Sequence, residues 1–570
     1  MILRGIPASD GIGIGRAVCI REESLDYSDV QYAGKDVEKV RLQTAIEQFN
    51  ERTSAMAARL RERVGQKESE ILTGQIAMLA DPFMLSQMQE AIDGGSCAEA
   101  AVDSIFTMYA DMFAGVEDEL MRQRATDVRD IRGRLLSLLL GTAGVDLGEL
   151  PPGSILVARD LTPSMTVGLK KESVAAILTA AGGRTSHSAI LARALEIPAV
   201  LSIPKLLDLV KDGDGIIVDG EGGMAILSPD ERTRSEYLSR QKTYQERRAA
   251  LQVYRDKETV DTDGRKYSLY ANIGSPAEAE AAAQSGAEGV GLFRTEFLFM
   301  NRASLPDETV QYEAYKAVSK AMSGKEVIIR TLDVGGDKAI EYLGMDKEEN
   351  PFLGHRAVRY CLDRPELYKV QLRALLRAGA EEKNIKIMLP LVTCVEEVRA
   401  ARDLLEKCKK ELEEAQLPYD KDIALGVMIE TPAAALCADL LAKECDFFSI
   451  GTNDLTQYTM AVDRGNAKVE KLYSHFQPAV LRSIRSVIAA AKSAGIQVGM
   501  CGEAAADPRL LPLLMTWGLD EFSVSASAVL ATRAAISHWL GAKAKKVTEE
   551  AMGLSTASGV EGYLGASVPQ

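Results

Sequence analysis

Residues 182–190 read GGRTSHSAI and place His187, one of 4 histidines in 570 residues, directly after a Gly-Gly-Arg-Thr-Ser turn. The glycine pair permits positive φ and a close approach of backbone. Thr185 or Ser186 is a candidate N-cap for a helix through SAILARALE that ends near Pro198. His187 then lies in the first helical turn, where free N–H groups and the helix dipole favour an anion. A neutral imidazole there is a nucleophile whose phosphorylated form backbone amides would hold, and Arg184 adds positive charge. The competing reading is a capping or packing histidine. The glycines and hydroxyls weaken a helix without a packing return, which counts against it, but spacing alone leaves both open.

A second collection of reactive side chains follows short apolar runs in the C-terminal half. Arg294-Thr-Glu296 follows Gly289–Phe293, Arg330 ends the run Val327–Ile329, Pro390 follows Ile385–Leu389, and Glu430 ends Leu425–Ile429. Phe447–Ile450 leads to Asn453 and Asp454, and Gln497–Met500 to Cys501, Gly502 and Glu503. Arg356 and Arg464 lie in loops, in NPFLGHRAVR and AVDRGN. Arginines gathered with carboxylates suit a small, multiply anionic ligand bound with a metal, because guanidinium groups match carboxylate and phosphate oxygens bidentately. Glu430 and Asp454 are hard oxygen ligands of the kind Mg²⁺ uses while it keeps waters and binds substrate phosphate. A ring of structural ion pairs would read the same way. Cys501 is either a small core residue or a thiol that gives or takes a proton at a substrate carbon.

These side chains need elements to position them. With Leu269–Ile273 and Phe522–Val524 added, the apolar runs number eight and are separated by helical stretches. That is the rhythm of a (β/α)8 barrel, whose chemistry sits at the C-terminal ends of its strands. A doubly wound sheet would supply about six or seven such units. Upstream, β-like runs at Ile155–Ala158, Ala175–Leu178, Ala199–Leu201 and Ile216–Val218 join residues 1–20 in a compact α/β unit. Between them Ile46, Phe49, Met56, Leu60 and Val64 recur at helical spacing, and similar patterns run through Glu70–Met78, Ala100–Phe113 and Val116–Leu140. This predicts an inserted bundle of helical hairpins. Glu231 to Arg255 is charged and free of glycine, an exposed connecting helix, and DTDGRK at 261–266 is a turn.

The expected architecture is therefore multidomain α/β. It has an α/β domain from residues 1–20 and 145–230, a helical insertion over 21–144, a linker helix over 231–260 and a barrel over 261–570. The small-residue tail after Leu554 is expected to be disordered.

Bulk properties exclude several classes. A length of 570 residues allows about four domains, and 46% hydrophobic with 26% charged residues describes packed cores. A net charge of −15 argues against a nucleic-acid partner, since like charges repel. No apolar run reaches the about 18 residues of a membrane helix, and the run Leu135–Leu140 is broken by Ser137. The opening MILRGIPASDGIGIG has no signal-peptide apolar stretch. Eight scattered cysteines without a Cys-x-x-Cys pair read as reduced thiols in a cytosol. No G-x-x-x-x-G-K-[ST] loop occurs and GIGIGRAV does not complete a dinucleotide fingerprint, so ATP in a P-loop is not the visible phosphate donor.

Taken together, the longer stretches resemble enzyme I of the bacterial phosphoenolpyruvate-dependent sugar phosphotransferase system. They are DLTPSMT, AGGRTSHSAILARALEIPAV, GVGLFRTEFLFM, IIRTLDVGGDK, ENPFLGHRAVR, GVMIETPAAA, DFFSIGTNDLTQYTMAVDRGN and GMCGEAAADP, spread over nearly the whole chain. Any one of them is shared with pyruvate, phosphate dikinase and phosphoenolpyruvate synthase.

The resemblance implies that His187 takes the phosphoryl group of phosphoenolpyruvate and becomes a phosphohistidine, with Thr166 steadying the imidazole. It implies that Arg294, Arg330, Arg356, Arg464 and Asn453 hold the substrate, with Asp454 beside them, and that Glu430 and Asp454 bind Mg²⁺. Cys501 would protonate the enolate carbon and release pyruvate. The phosphoryl group then passes to the carrier protein HPr, docked on the helical insertion, in a cytoplasmic homodimer joined through the barrel. His187 must reach the mouth of another domain and later the carrier, which implies a large swing about residues 230–260.

Related readings are a dikinase-like phosphotransferase and a nitrogen-branch paralogue. The first needs an ATP-binding domain for which the assigned residues leave no room. The second carries an extra N-terminal sensory domain, and the start at GIPASDGIGIGRA favours the sugar branch. A catalytically dead scaffold would not keep every reactive position filled. His355 stands where the resemblance implies a larger aromatic, which touches local packing and substrate affinity; His475 and His538 have no motif context and are expected to be structural.

Overall fold

The computed structural model describes residues 1–20, 25–63, 66–114, 119–142, 147, 150–162, 165, 169–183, 186–300, 304–335, 340–346, 348–464, 466 and 468–568. The chain forms two compact units, Met1–Arg248 and Ala249–Gln570.

In the first unit, glycine- and proline-punctuated apolar runs form β1 (Ile2–Arg4), β2 (Ile6–Ser9), β3 (Ile12–Ile20), β4 (Ser154–Ala158), β5 (Val174–Thr179), β6 (Ala199–Leu201), β7 (Gly215–Asp219) and β8 (Met224–Leu227). They make one sheet in the order β1-β8-β7-β3-β4-β5-β6-β2. The central strands β3, β4, β5 and β6 are parallel, and the flanking pairs are antiparallel. Side chains of a strand alternate between faces, so Leu156 and Ala158 enter one apolar core while Ile155 and Val157 enter another. Both faces are covered, which is why β4 reads as an unbroken apolar run.

Between β3 and β4 the chain runs through helices Lys35–Arg63, Gln66–Leu79, Pro82–Asp93, Ala98–Ala114 and Glu119–Leu140. Their shared core is built from Phe49, Met88, Ile92, Phe106, Val128, Ile131 and Leu135, all fully buried. Asp81 starts the third of them: its carboxylate accepts the N–H groups of Phe83 and Met84 at 2.9 and 3.0 Å, and Pro82 occupies the first helical position. Val64 and Val116, used in the helical reading, lie outside the described residues. A polar helix, Glu231–Leu251, follows β8.

The second unit is a closed barrel of eight parallel strands. These are β9 (Ser268–Ile273), β10 (Val290–Arg294), β11 (Val327–Arg330), β12 (Ile385–Leu389), β13 (Ala424–Ile429), β14 (Phe447–Ile450), β15 (Gln497–Met500) and β16 (Glu521–Ser525). β9 pairs with both β10 and β16, which closes the ring. A doubly wound sheet is thereby excluded. Leu292, Ile328, Met388, Met428 and Phe447 pack in the barrel interior. Their alternates Phe293, Ile329, Leu389, Ile429 and Phe448 pack with the helices.

One expectation fails. The tail after Leu554 is ordered as the helix Ala557–Ser567. Thr556 caps it, accepting the N–H of Gly559 at 3.1 Å. Val560 and Leu564, four residues apart and so on one helical face, are buried in the barrel's core. Among the described residues no helix is long and apolar enough to cross a membrane.

Candidate active site

The turn before His187 is built from glycine geometry and hydroxyl caps. Gly182 has φ +97°, and a Cβ there would lie 3.0 Å from Ser186 Oγ. Ser186 caps the helix His187–Leu195, its Oγ accepting the N–H of Ala189 at 3.3 Å. Ser188 donates to Asp160 Oδ1 at 2.6 Å and accepts the N–H of Leu161 at 3.1 Å, tying the first helical turn to the end of β4. Burial pushes the Asp160 carboxyl up, against the lowering effects of the Ser188 hydroxyl, of the Leu161 N–H, which also donates to Asp160 Oδ1 at 2.9 Å, and of Arg159. His187 thus opens a helix, at the position where backbone N–H groups face outward. Thr166, Arg184 and Thr185 lie outside the described residues.

In the barrel unit, the remaining candidates collect at the C-terminal rim. Arg294 closes β10 and Arg330 closes β11. Arg330 Nη2 reaches Glu296 Oε1 at 2.7 Å and Asp333 Oδ2 at 3.1 Å. Arg356 Nη2 reaches Asp333 Oδ1 at 2.8 Å and Asp454 Oδ2 at 3.5 Å, and its Nη1 donates to the Tyr458 hydroxyl at 3.2 Å. Arg464, half-buried, reaches Asp454 Oδ1 at 3.2 Å. Carboxylates hold both buried guanidinium groups above their usual range despite the cost of burial. The Nε atoms of Arg294, Arg330 and Arg356 are buried and have no hydrogen-bond partner. Donors left unsatisfied in this way suit an anion that is not part of the chain.

Glu430 follows β13 and accepts the N–H of Leu391 at 2.6 Å. Burial first, then Asp454 and Asp333, push its carboxyl well above the usual range, opposed by Arg330 and Arg356. Asp454 lies in the first turn of the helix Thr452–Met460. Asn453 accepts the N–H of Glu503 at 3.2 Å through its side-chain oxygen. A divalent cation relieves the crowding of negative charge that raises the Glu430 carboxyl, and the hard oxygens of Glu430 and Asp454 are donors suited to Mg²⁺. Cys501 follows β15 and is buried, and its backbone N–H donates to Ile450 O at 3.2 Å. Burial pushes its thiol up to about 12, against the lowering effects of Ser449 and Arg330.

Several members of this site escape the sequence reading. Asp333, between two arginines, is legible only as the turn LDVGG after a strand; the signal that could have found it is that buried arginines require a carboxylate partner. Tyr458, on the helix Thr452–Met460, is missed as well. His355 packs 5.5 Å from the Tyr360 ring with Nε2 3.6 Å from Asp363 Oδ2. His475 Nδ1 lies 2.9 Å from Thr456 Oγ1, and His538 Nδ1 lies 2.6 Å from Ala534 O.

A parallel barrel with arginines and carboxylates at its C-terminal rim, in a chain with a histidine-headed helix, fits a phosphoenolpyruvate-utilising enzyme. Family models agree: PEP-utilising enzyme, N-terminal, matches residues 4–124, the mobile domain 150–223 and the PEP-binding domain 248–540. A phosphoenolpyruvate-protein phosphotransferase of Listeria innocua serovar 6a is 43% identical over 98% of this chain and 98% of its own. Those of Streptococcus equinus and Bacillus subtilis are 42% and 41% identical, over 97% and 99% of this chain and 96% and 99% of theirs. The chain belongs to the phosphoenolpyruvate-protein phosphotransferase family.

Proposed function

We propose that this protein transfers the phosphoryl group of phosphoenolpyruvate to its own His187, releases pyruvate, and passes the group on to a histidine of the carrier protein HPr. One observation carries the barrel half of this reading: the cluster Arg330–Asp333–Arg356, with unpartnered Nε donors at the rim. Arg294, Arg330, Arg356 and Arg464, with Asn453, bind the phosphate and carboxylate of the substrate. Phosphoryl transfer through a loose transition state requires positioning and charge stabilisation more than covalent chemistry, and fixed guanidinium groups provide both. Thr166 orients the imidazole.

Glu430 and Asp454 would hold Mg²⁺, with further positions left to water and substrate oxygens, since among the described residues no group of three or more His, Cys, Asp or Glu side chains is placed to hold a metal ion. Bound there, Mg²⁺ neutralises phosphate charge. Cys501 keeps its proton until the enolate forms and then delivers it to the methylene carbon: the S–H bond breaks, a C–H bond forms, and the enolate oxygen becomes the ketone of pyruvate. A thiol pushed up to about 12 is suited to remain protonated until then.

In this reading residues 1–20 and 145–230 carry the phosphohistidine, residues 21–144 receive HPr, residues 231–260 link the halves, and residues 261–570 bind phosphoenolpyruvate and dimerise. Eight free cysteines suit the reducing cytoplasm. The test is incubation with radiolabelled phosphoenolpyruvate and Mg²⁺. The intact chain labels itself without nucleotide and passes label to HPr, whereas His187→Ala does neither. Labelling of His187→Ala at the parent rate would refute the reading.

A further inference from the structure

The barrel interior carries a line of polar side chains on one side of its apolar filling. Beside the apolar filling of Leu292, Ile328, Met388 and Met428, strands β16 and β9 bring in Glu521, Ser523 and Asn272. Ser523 is fully buried, and its Oγ donates to Asn272 Oδ1 at 2.6 Å. The carbonyls of Cys501 and Ser523 fix the orientation of the amide, because only its nitrogen can donate to them and its oxygen is left to accept from Ser523 Oγ. The nitrogen then donates to two carbonyls, Cys501 O at 3.0 Å and Ser523 O at 3.2 Å.

Room for this arrangement comes from the neighbouring strand β10. A Cβ on Gly291 would lie 2.2 Å from Glu521 Oε1 and 2.4 Å from Ser523 Oγ. Asn272 on β9 therefore reaches past β16 to the residue that follows β15. On its other side Cys501 is held by its own N–H, which donates to Ile450 O at 3.2 Å. The two peptide groups flanking the Cys501 Cα are thus fixed from opposite directions, one by backbone and one by a side chain.

We propose that Asn272 is a positioning residue for the phosphoenolpyruvate half-reaction: by holding the Cys501 carbonyl it aims the thiol at the methylene carbon of the enolate. This rests on the reading of Cys501 as the acid. Asn272 exchanges no proton itself. The S–H bond breaks, a C–H bond forms, the electron pair stays on sulfur, and water afterwards returns a proton to the thiolate. A residue that only aims a proton donor changes the rate of proton delivery, leaving substrate affinity and the chemistry at His187 alone.

In the full-length protein, Asn272→Ala is expected to slow pyruvate formation roughly ten- to hundredfold, with KM for phosphoenolpyruvate within about twofold. Labelling of His187 from phosphorylated HPr stays at the parent rate. Asn272→Asp, nearly isosteric and still an acceptor for Ser523 but without the amide donors, gives a similar loss and serves if Asn272→Ala folds poorly. In a Cys501→Ser background, adding Asn272→Asp lowers pyruvate formation by less than about twofold, because the two changes act on one step. Fully additive losses, a parallel loss in transfer from phosphorylated HPr, or parent-rate pyruvate formation by both Asn272 variants would overturn the proposal. Cys501→Ser with parent-rate pyruvate formation would instead overturn the reading of the thiol as the acid.

Discussion

Asp333 and Arg356 form a buried pair at 2.8 Å, and the same carboxylate reaches Arg330 at 3.1 Å with its second oxygen. One side chain thus serves two guanidinium groups that arrive from different elements, a strand end and the segment before the helix Val358–Asp363. The shared carboxylate occupies one edge of each arginine. It leaves their Nε atoms unpartnered. The two guanidinium groups are therefore held at the rim through one shared carboxylate, Asp333.

Asp333→Ala removes the shared partner and leaves Arg330 with Glu296 and Arg356 with only the longer contact to Asp454 at 3.5 Å. Breaking a buried ion pair costs about 3–5 kcal/mol, so the barrel unit should unfold at clearly lower urea. Both tryptophans, Trp517 and Trp539, lie in this unit, and their fluorescence measures the shift. KM for phosphoenolpyruvate should rise as the arginines lose their alignment. A midpoint and KM equal to the parent's would show that Glu296 and Asp454 hold the pair without Asp333.

Glu521 gives the barrel a predicted pH dependence. Burial, with Glu326 and Asp520, pushes its carboxyl from an ordinary 4.5 up to about 8, opposed by Lys386. The folded protein prefers the protonated acid. Its contribution is complete below 4.5, declines as pH rises from 4.5 towards about 8, and is gone above that. Glu521→Gln keeps the shape without the charge. It should flatten the decline and stabilise the barrel by roughly 2 kcal/mol at about pH 9. Urea midpoints measured from about pH 5 to about pH 9 check this; parallel curves for the two proteins would exclude Glu521 as the source.

Legibility followed burial and locality. All eight barrel strands could be read because a parallel strand covered on both faces is a short apolar run with glycine or proline nearby. Arg330 and Glu430 were legible because they stand where such runs stop. Met224–Leu227, only four residues after a run of glycines, was not picked out as a separate strand. The C-terminal helix was misread because its glycines and serines hide a two-residue apolar face, Val560 and Leu564. Asp333 and Asn272 were illegible for a different reason. Their roles arise from partners 23 and 229 residues away, and no local pattern encodes a pairing of that separation.

The histidine turn should be sensitive to backbone changes that touch no substrate group. Ser186→Ala removes the acceptor for the Ala189 N–H, a cap worth about 1 kcal/mol. Gly182→Ala places a Cβ on a residue at φ +97°, 3.0 Å from Ser186 Oγ, which costs about 1–2 kcal/mol. Both variants should slow labelling of His187 from phosphorylated HPr and from phosphoenolpyruvate alike. Binding of phosphoenolpyruvate to the barrel, followed by calorimetry, should not change. Loss confined to one donor would show that the turn does more than present the imidazole.

Mg²⁺ removal should separate the two half-reactions. A chelator is expected to stop labelling from phosphoenolpyruvate while labelling from phosphorylated HPr continues, since Glu430 and Asp454 belong to the barrel. Asp454→Asn keeps a neutral oxygen donor but lowers the charge of the site, and the Mg²⁺ concentration for half-maximal rate should rise about tenfold. Asp454 also pairs with Arg464 at 3.2 Å, so a control is needed for the loss of that ion pair. Arg464→Ala provides it: KM for phosphoenolpyruvate should rise with little change in the Mg²⁺ requirement. If Asp454→Asn and Arg464→Ala shift the Mg²⁺ requirement equally, Asp454 acts by orienting Arg464 and the cation is held elsewhere on the rim.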